Sequence, residues 1–170
     1  MAYRSNLPSL SLSDAAWDEG PPDPLAQPDF YDGLVLRRSI GFLVDATITW
    51  SLNICLGIAF WLAGLLTFGL LWPVGVLALA ILPFAYHTYF IGSRGATPGM
   101  ALFDVELRSW TGAPVDYLQA FLQTALFYTT VPMTSGLVLL VALFNDRRRT
   151  LHDILAGTVM VRTSRVMVNR

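Results

Sequence analysis

The chain has 170 residues, of which 54% are hydrophobic and 14% charged, with a formal net charge of −1. A water-soluble domain usually carries about 25% charged residues, so too few charges are present to cover a core in water. That speaks against an ordinary soluble enzyme, and the apolar content excludes disorder over the whole chain.

The charges are also unevenly placed. Residues 1–36 hold six acids and one base, Arg4, whereas residues 37–170 hold six acids and ten arginines, and Lys is absent throughout. The single cysteine, Cys55, rules out a disulfide framework within one chain.

Residues 1–30 are rich in Ser, Pro and Asp, and Gly20-Pro21-Pro22-Asp23-Pro24 suits neither helix nor strand interior. With no basic start followed by an apolar run, this stretch does not read as a signal peptide. The expectation is a disordered, acidic, Pro-rich tail whose charge disfavours docking on anionic lipid.

A membrane-like domain is expected over residues 31–165. The apolar run from Ser39 to Ser93 exceeds the roughly 20 residues that span a bilayer core. Its break at Thr67-Phe68-Gly69, followed by Trp72-Pro73, predicts a hairpin of helices at 39–66 and 70–91. Trp61 and Trp72 flank that turn as interfacial aromatics do, and Pro83 predicts a kink.

Next, Thr97-Pro98-Gly99-Met100 reads as a type II turn. Phe103, Val105 and Leu107 then alternate with Asp104, Glu106 and Arg108, the period of a half-buried strand. A small amphipathic β-hairpin is expected over 102–115, with Trp110 at headgroup level.

The apolar residues 117–144 would make a helix of about 42 Å, longer than a core of about 30 Å. Thr129-Thr130-Val131-Pro132 and Ser135-Gly136 interrupt it, so it is either one long kinked helix or two shorter pieces that re-enter or cross twice. Residues 157–162 read as a closing strand whose nearest partner is the 102–108 strand. The fold class is therefore membrane all-α: two full transmembrane helices in a hairpin, a third kinked or re-entrant apolar segment, and a small β-hairpin at the cytoplasmic surface.

Arginines mark cytoplasmic flanks. Arg37, Arg38, Arg94 and Arg108 precede the third segment, and Arg147, Arg148, Arg149, Arg162, Arg165 and Arg170 follow it. An even number of crossings, or a re-entrant third segment, keeps all of them and both termini cytoplasmic.

Asp45 is the most informative residue, because a carboxylate inside a spanning helix is costly unless paired or hydrated. It lies about 10 Å beyond Arg38 along the axis, on nearly the same face. Arg38, or the Arg147–Arg149 cluster, is the expected partner. Gly41, Asp45, Thr49, Asn53 and Gly57 recur every fourth residue as a polar seam that should face protein or a hydrated cavity. That seam serves either an ion or proton path or close helix packing.

His87 sits among Tyr86, Thr88 and Tyr89, which suggests an interfacial position. Adjacent His152 and Asp153 point to different sides of a helix or strand and make a poor metal motif. No metal site, cofactor motif or enzyme signature is present. Arg147, Arg148 and Arg149 suit lipid phosphates and are too few for nucleic acid.

Three stretches carry a resemblance. They are Tyr31–Asp45, beginning Tyr31-Asp32-Gly33-Leu34-Val35 and including Arg37-Arg38; Gly95-Ala96-Thr97-Pro98-Gly99-Met100 with Val105-Glu106-Leu107; and Asp146–Val159, including Thr150-Leu151-His152-Asp153 and Ala156-Gly157-Thr158. In order and spacing, from about Tyr31 to Arg162, the chain resembles the RDD family of small polytopic membrane proteins.

The family's named arginine and two aspartates carry over to Arg38, Asp45 and Asp153. Met100 stands where Lys is frequent and Gly41 where Ala is usual. The resemblance implies a multi-pass protein of the cell (inner) membrane without a settled common activity, for which transport of cations or protons has been suggested. On that expectation Asp45 is the ion-binding or protonatable carboxylate, Arg38 tunes it, and Asp153 closes the cytoplasmic side against Arg147–Arg149. With so few helices, a conduction path needs a homo-oligomer or another membrane protein. The competing expectation is a non-transporting scaffold or assembly subunit whose signature residues lock helices together.

Overall fold

The structure, a computed structural model, describes residues 20–25 and 28–162. Most of the acidic leader, together with Arg165 and Arg170, lies outside the described residues. Within the leader, Pro28–Phe30 forms a 3-10 turn, and the Tyr31 hydroxyl donates to the Pro22 carbonyl at 2.9 Å.

Helix α1 runs over Leu34–Leu66 and α2 over Trp72–Arg94. At 1.5 Å per residue they are about 50 and 35 Å long. Both are long and apolar enough to cross a membrane. The expected break holds, and Thr67 makes it: its hydroxyl donates to Ala63 O at 2.9 Å and accepts from Leu71 N at 3.3 Å, so one side chain ends α1 and starts α2. Gly69 turns the chain at φ 90°, a left-handed value that suits glycine. Close packing follows from small residues, since a Cβ on Gly75 would stand 2.7 Å from the Phe60 Cβ.

Helix α1 starts earlier than expected. Arg37 and Arg38 lie inside its first turns rather than ahead of it.

Thr97-Pro98-Gly99-Met100 is not a type II turn. It opens a short helix, α3, over Pro98–Leu102, with Thr97 as N-cap accepting from Met100 N at 3.2 Å and Pro98 at a first-turn position. Strand β1 (Val105–Ser109) then pairs antiparallel with β2 (Thr158–Arg162), with Leu107 opposite Met160.

The expected hairpin within 102–115 is thus corrected. Its return contributes a single bridge, Arg108 to Pro114, and the closing strand supplies the real partner. Strict alternation also fails at Arg108, which is buried and donates to Gly112 O at 3.2 Å while ion-pairing with Glu106 at 2.7 Å.

Helix α4 spans Tyr117–Met133, and 3-10 turns follow over Leu137–Leu143, bent by 112° from it. The segment leaves the sheet and returns to it. Gln119 near its start donates to the Ala156 and Gly157 carbonyls at 3.0 and 3.1 Å. Its far end leads into helix α5, Leu151–Leu155, and then β2.

One apolar cluster joins these parts at the sheet end: Tyr31, Leu34, Ile91, Met100, Val105, Leu107, Val115, Ala120, Val159, Met160 and Val161. The opposite end is the α1–α2 turn, where Trp61, Leu65, Leu66, Phe68 and Leu70 are exposed.

Candidate functional site

Two polar clusters lie at the sheet end. The first surrounds Asp45, which is 1% exposed. Its Oδ1 accepts from the Tyr86 hydroxyl at 2.9 Å and Gly99 N at 2.8 Å, and its Oδ2 from the Thr97 hydroxyl at 2.5 Å. The donors come from α2 and from the start of α3, its Thr97 cap and Gly99, so one carboxylate ties two elements to α1. All three donors are uncharged.

The close approach depends on glycine. A Cβ on Gly99 would lie 2.7 Å from the Asp45 Cγ, and one on Gly41 would lie 3.1 Å from the Gly99 carbonyl oxygen. Of the predicted seam, Gly41, Asp45 and Thr49 are buried, whereas Asn53 and Gly57 are only partly so. Thr49 turns its hydroxyl back to Asp45 O at 2.9 Å. The seam is therefore a contact with α3 at its Gly41 end, fading toward the α1–α2 turn.

The second cluster is centred on Arg38. Its guanidinium does not reach for Asp45. It grips Asp153 in a fork, Nη1 to Oδ2 at 2.5 Å and Nη2 to Oδ1 at 3.1 Å. Nη2 also lies 2.8 Å from His152 Nε2.

Local sequence prepares this site. Thr150 and Asp153 form a capping box at the start of α5, the Thr150 backbone N–H and hydroxyl both donating to Asp153 Oδ2 at 3.0 and 2.7 Å. Because arginine only donates, His152 Nε2 must accept, which places the ring proton on Nδ1. Burial, aided by the Arg38 charge and opposed by Asp153, pulls the His152 pKa down to about 4, so the ring is neutral at pH 7. Burial pushes the Asp153 carboxyl up, yet the charge and hydrogen bonds of Arg38 outweigh it and hold the group well below the ordinary range. Adjacent His152 and Asp153 thus act on one cation, each reaching Arg38 from the first turn of α5.

The arginine run divides. Arg149 donates to the Thr158 and Asp153 carbonyls at 2.8 and 3.1 Å and lies 4.4 Å from the centre of the Trp110 ring; Arg147 lies 5.4 Å from the same ring. Arg148 is exposed and donates to Leu143 O. Trp110 is thus flanked by two cations while staying exposed.

Between α1, α2, α4 and the Leu137–Leu143 turns lies a cavity of about 340 Å³. Arg38, Asp45 and His87 all line it, amid mostly carbon. His87 is not at an open interface: it is 9% exposed, its Nδ1 lies 2.8 Å from Pro83 O, and its Nε2 has no hydrogen-bond partner among the described residues. Among those residues no group of three or more His, Cys, Asp or Glu could hold a metal ion.

Sequence reasoning missed Tyr86 and Thr97 as the holders of Asp45. It also missed Thr150, although the Thr150-x-x-Asp153 spacing is a capping-box signal.

The model of the RDD family matches residues 33–157, most of the chain. No curated protein and no solved structure matches the chain.

Proposed function

Since the chain belongs to the RDD family, we propose that it is a multi-pass protein of the cell membrane acting as a non-transporting scaffold or assembly subunit. In this reading both termini are cytoplasmic, and the partner is a second copy or another membrane protein. The protein carries out no catalysis of its own. The apolar faces of α1 and α2 support membrane insertion, since patches so extensive are rare on soluble monomers.

One observation carries the scaffold reading: every oxygen of Asp45 and Asp153 is engaged by donors from other parts of the chain. Asp153 is neutralised by Arg38, and Asp45 is satisfied by Tyr86, Thr97 and Gly99. Groups so engaged hold elements in register, and an incoming cation would have to displace those donors.

The reading is tested with Asp45→Asn in the full chain reconstituted into vesicles. The expected result is a lower melting temperature, with neither wild type nor variant giving ion-driven proton flux above protein-free vesicles. A wild-type flux that the variant abolishes at unchanged stability would overturn it.

A second reading, transport of cations or protons, is favoured by one feature: Asp45 and His87 face one cavity. In that reading Asp45 binds the ion or proton, and the same flux experiment separates the two.

A further inference from the structure

The cavity holds two buried polar atoms that the signature clusters do not use. His87 Nε2 and Thr124 Oγ1 both lack a hydrogen-bond partner among the described residues, in side chains that are 9% and 1% exposed and that both line the cavity. Leaving such groups buried and unpaired is costly, so each calls for an occupant or a function.

The tautomer of His87 follows from geometry. Its Nδ1 lies 2.8 Å from the Pro83 carbonyl, an oxygen that can only accept, so Nδ1 carries a proton and, in the neutral ring, Nε2 presents a lone pair. Tyr128, one helical turn beyond Thr124 on α4, packs its ring against His87 at 5.7 Å between centroids. The i, i+4 relation puts Thr124 on the same face of α4 as Tyr128, and Thr124 and His87 line the one cavity.

Beyond Arg38, Ser39, Asp45, Gln123 and Arg148, the rest of the wall is apolar, and it is asymmetric. Its buried part includes Ile91, Met100, Leu107 and Met160, while its exposed part, Phe42 and Leu43 of α1 with Leu139, forms the mouth. The cavity is thus polar at a buried point, greasy along its length, and open between α1 and the Leu137–Leu143 turns. Of the charged groups that line the cavity, Arg38 is matched by Asp153, Asp45 is held by Tyr86, Thr97 and Gly99, and Arg148 is exposed and donates to Leu143 O, so the buried head of the occupant should be neutral.

We propose that this cavity is a binding site for a neutral, hydroxyl-bearing apolar molecule. Its hydroxyl donates to His87 Nε2 and pairs with Thr124 Oγ1, and its tail leaves through the mouth past Leu43 and Leu139. A hydroxyl fits because it donates and accepts at once, as the two orphaned atoms require. Either an aliphatic alcohol or a phenolic lipid supplies this chemistry. The site lies apart from the scaffold reading and holds with or without it.

The test is photolabelling of the full chain in lipid nanodiscs with a long-chain alkanol carrying a diazirine, read by peptide mapping. Labels are expected on cavity residues such as Phe127 and Leu139. Decanol should compete about tenfold better than its methyl ether, the ratio expected for losing one hydrogen bond in a buried site. A parallel arm with an alkylphenol distinguishes the aromatic from the aliphatic source by which competes at lower concentration.

His87→Phe should erase the preference for alcohol over ether. Thr124→Val, close in shape, should weaken it if His87→Phe does not fold, and Leu139→Trp should block labelling at the mouth. Labelling spread evenly over the exposed faces of α1 and α2 would overturn the proposal. So would equal competition by alcohol and ether, or a preference that survives both His87→Phe and Thr124→Val.

Discussion

The two ends of the molecule solve opposite problems. At the sheet end, polar groups are inside and engaged: Arg38, Asp45, Thr97, Arg108, Thr150 and Asp153 are buried or nearly so, each with partners. Along the hairpin toward the α1–α2 turn, apolar groups are outside: Trp50, Ile58, Trp61 and Phe68 are exposed, and no charged residue occurs from Ala46 to Tyr86. The first end folds by burying polar groups in pairs, as a protein in water does. The second leaves its carbon on the outside of two helices long and apolar enough to cross a membrane. The signature residues all belong to the first end, where their contacts join the sheet end to the base of the hairpin.

Breaking the Arg38 fork should have the largest effect. Asp153→Asn leaves a largely buried guanidinium without its counter-charge, a change that costs about 3–5 kcal/mol in comparable sites. Thermal unfolding in detergent should show it, while membrane insertion of the hairpin stays normal.

The mirror experiment acts on the other end. Ile58→Arg, on an exposed apolar face, should cost about 2.5–3.5 kcal/mol of insertion free energy. It should leave the melting of the sheet end in detergent unchanged.

A smaller loss is expected for Gly99→Ala, whose new methyl would run into the Gly41 carbonyl oxygen and press on the Asp45 carboxyl. Overpacking of this kind costs about 1–3 kcal/mol, read as a lowered melting temperature.

The gentlest probe is acid. Unfolded His152 takes up a proton near 6.5, whereas the folded ring does so only near 4, so stability falls as pH drops through that interval. Asp153, held below its ordinary 3.8 when folded, extends the loss to lower pH. Glu106, pushed up by burial against the pull of Arg108, works in the opposite sense. His152→Asn should flatten the slope between pH 6.5 and 4, measured by melting temperature against pH.

The contrast also explains what the sequence could reveal. The hairpin was legible because its signals are local: long apolar runs, the Thr67-Phe68-Gly69 break, and flanking Trp61 and Trp72. The sheet end depends on contacts between distant residues. Arg38 and Asp153 are 115 residues apart, and nothing near Arg38 announces that partner, so the nearer Asp45 attracted the pairing. Yet Thr97 before Pro98 is a helix-start signal, and Thr150 before Asp153 is a capping box. Both were readable, and both place a side chain of the polar clusters.

Arg108 was harder. Period two sends it outward with Glu106, and only the return of Gly112 and Pro114 over that face buries it.

The central claim, that the signature arginine and aspartate form a fixed structural lock, is tested most directly by a double-mutant cycle on Arg38→Met and Asp153→Leu. Each single variant should lower stability strongly, and the pair together should recover much of the loss, with a coupling of about 3 kcal/mol. A coupling below about 0.5 kcal/mol, the range of independent sites, would contradict it.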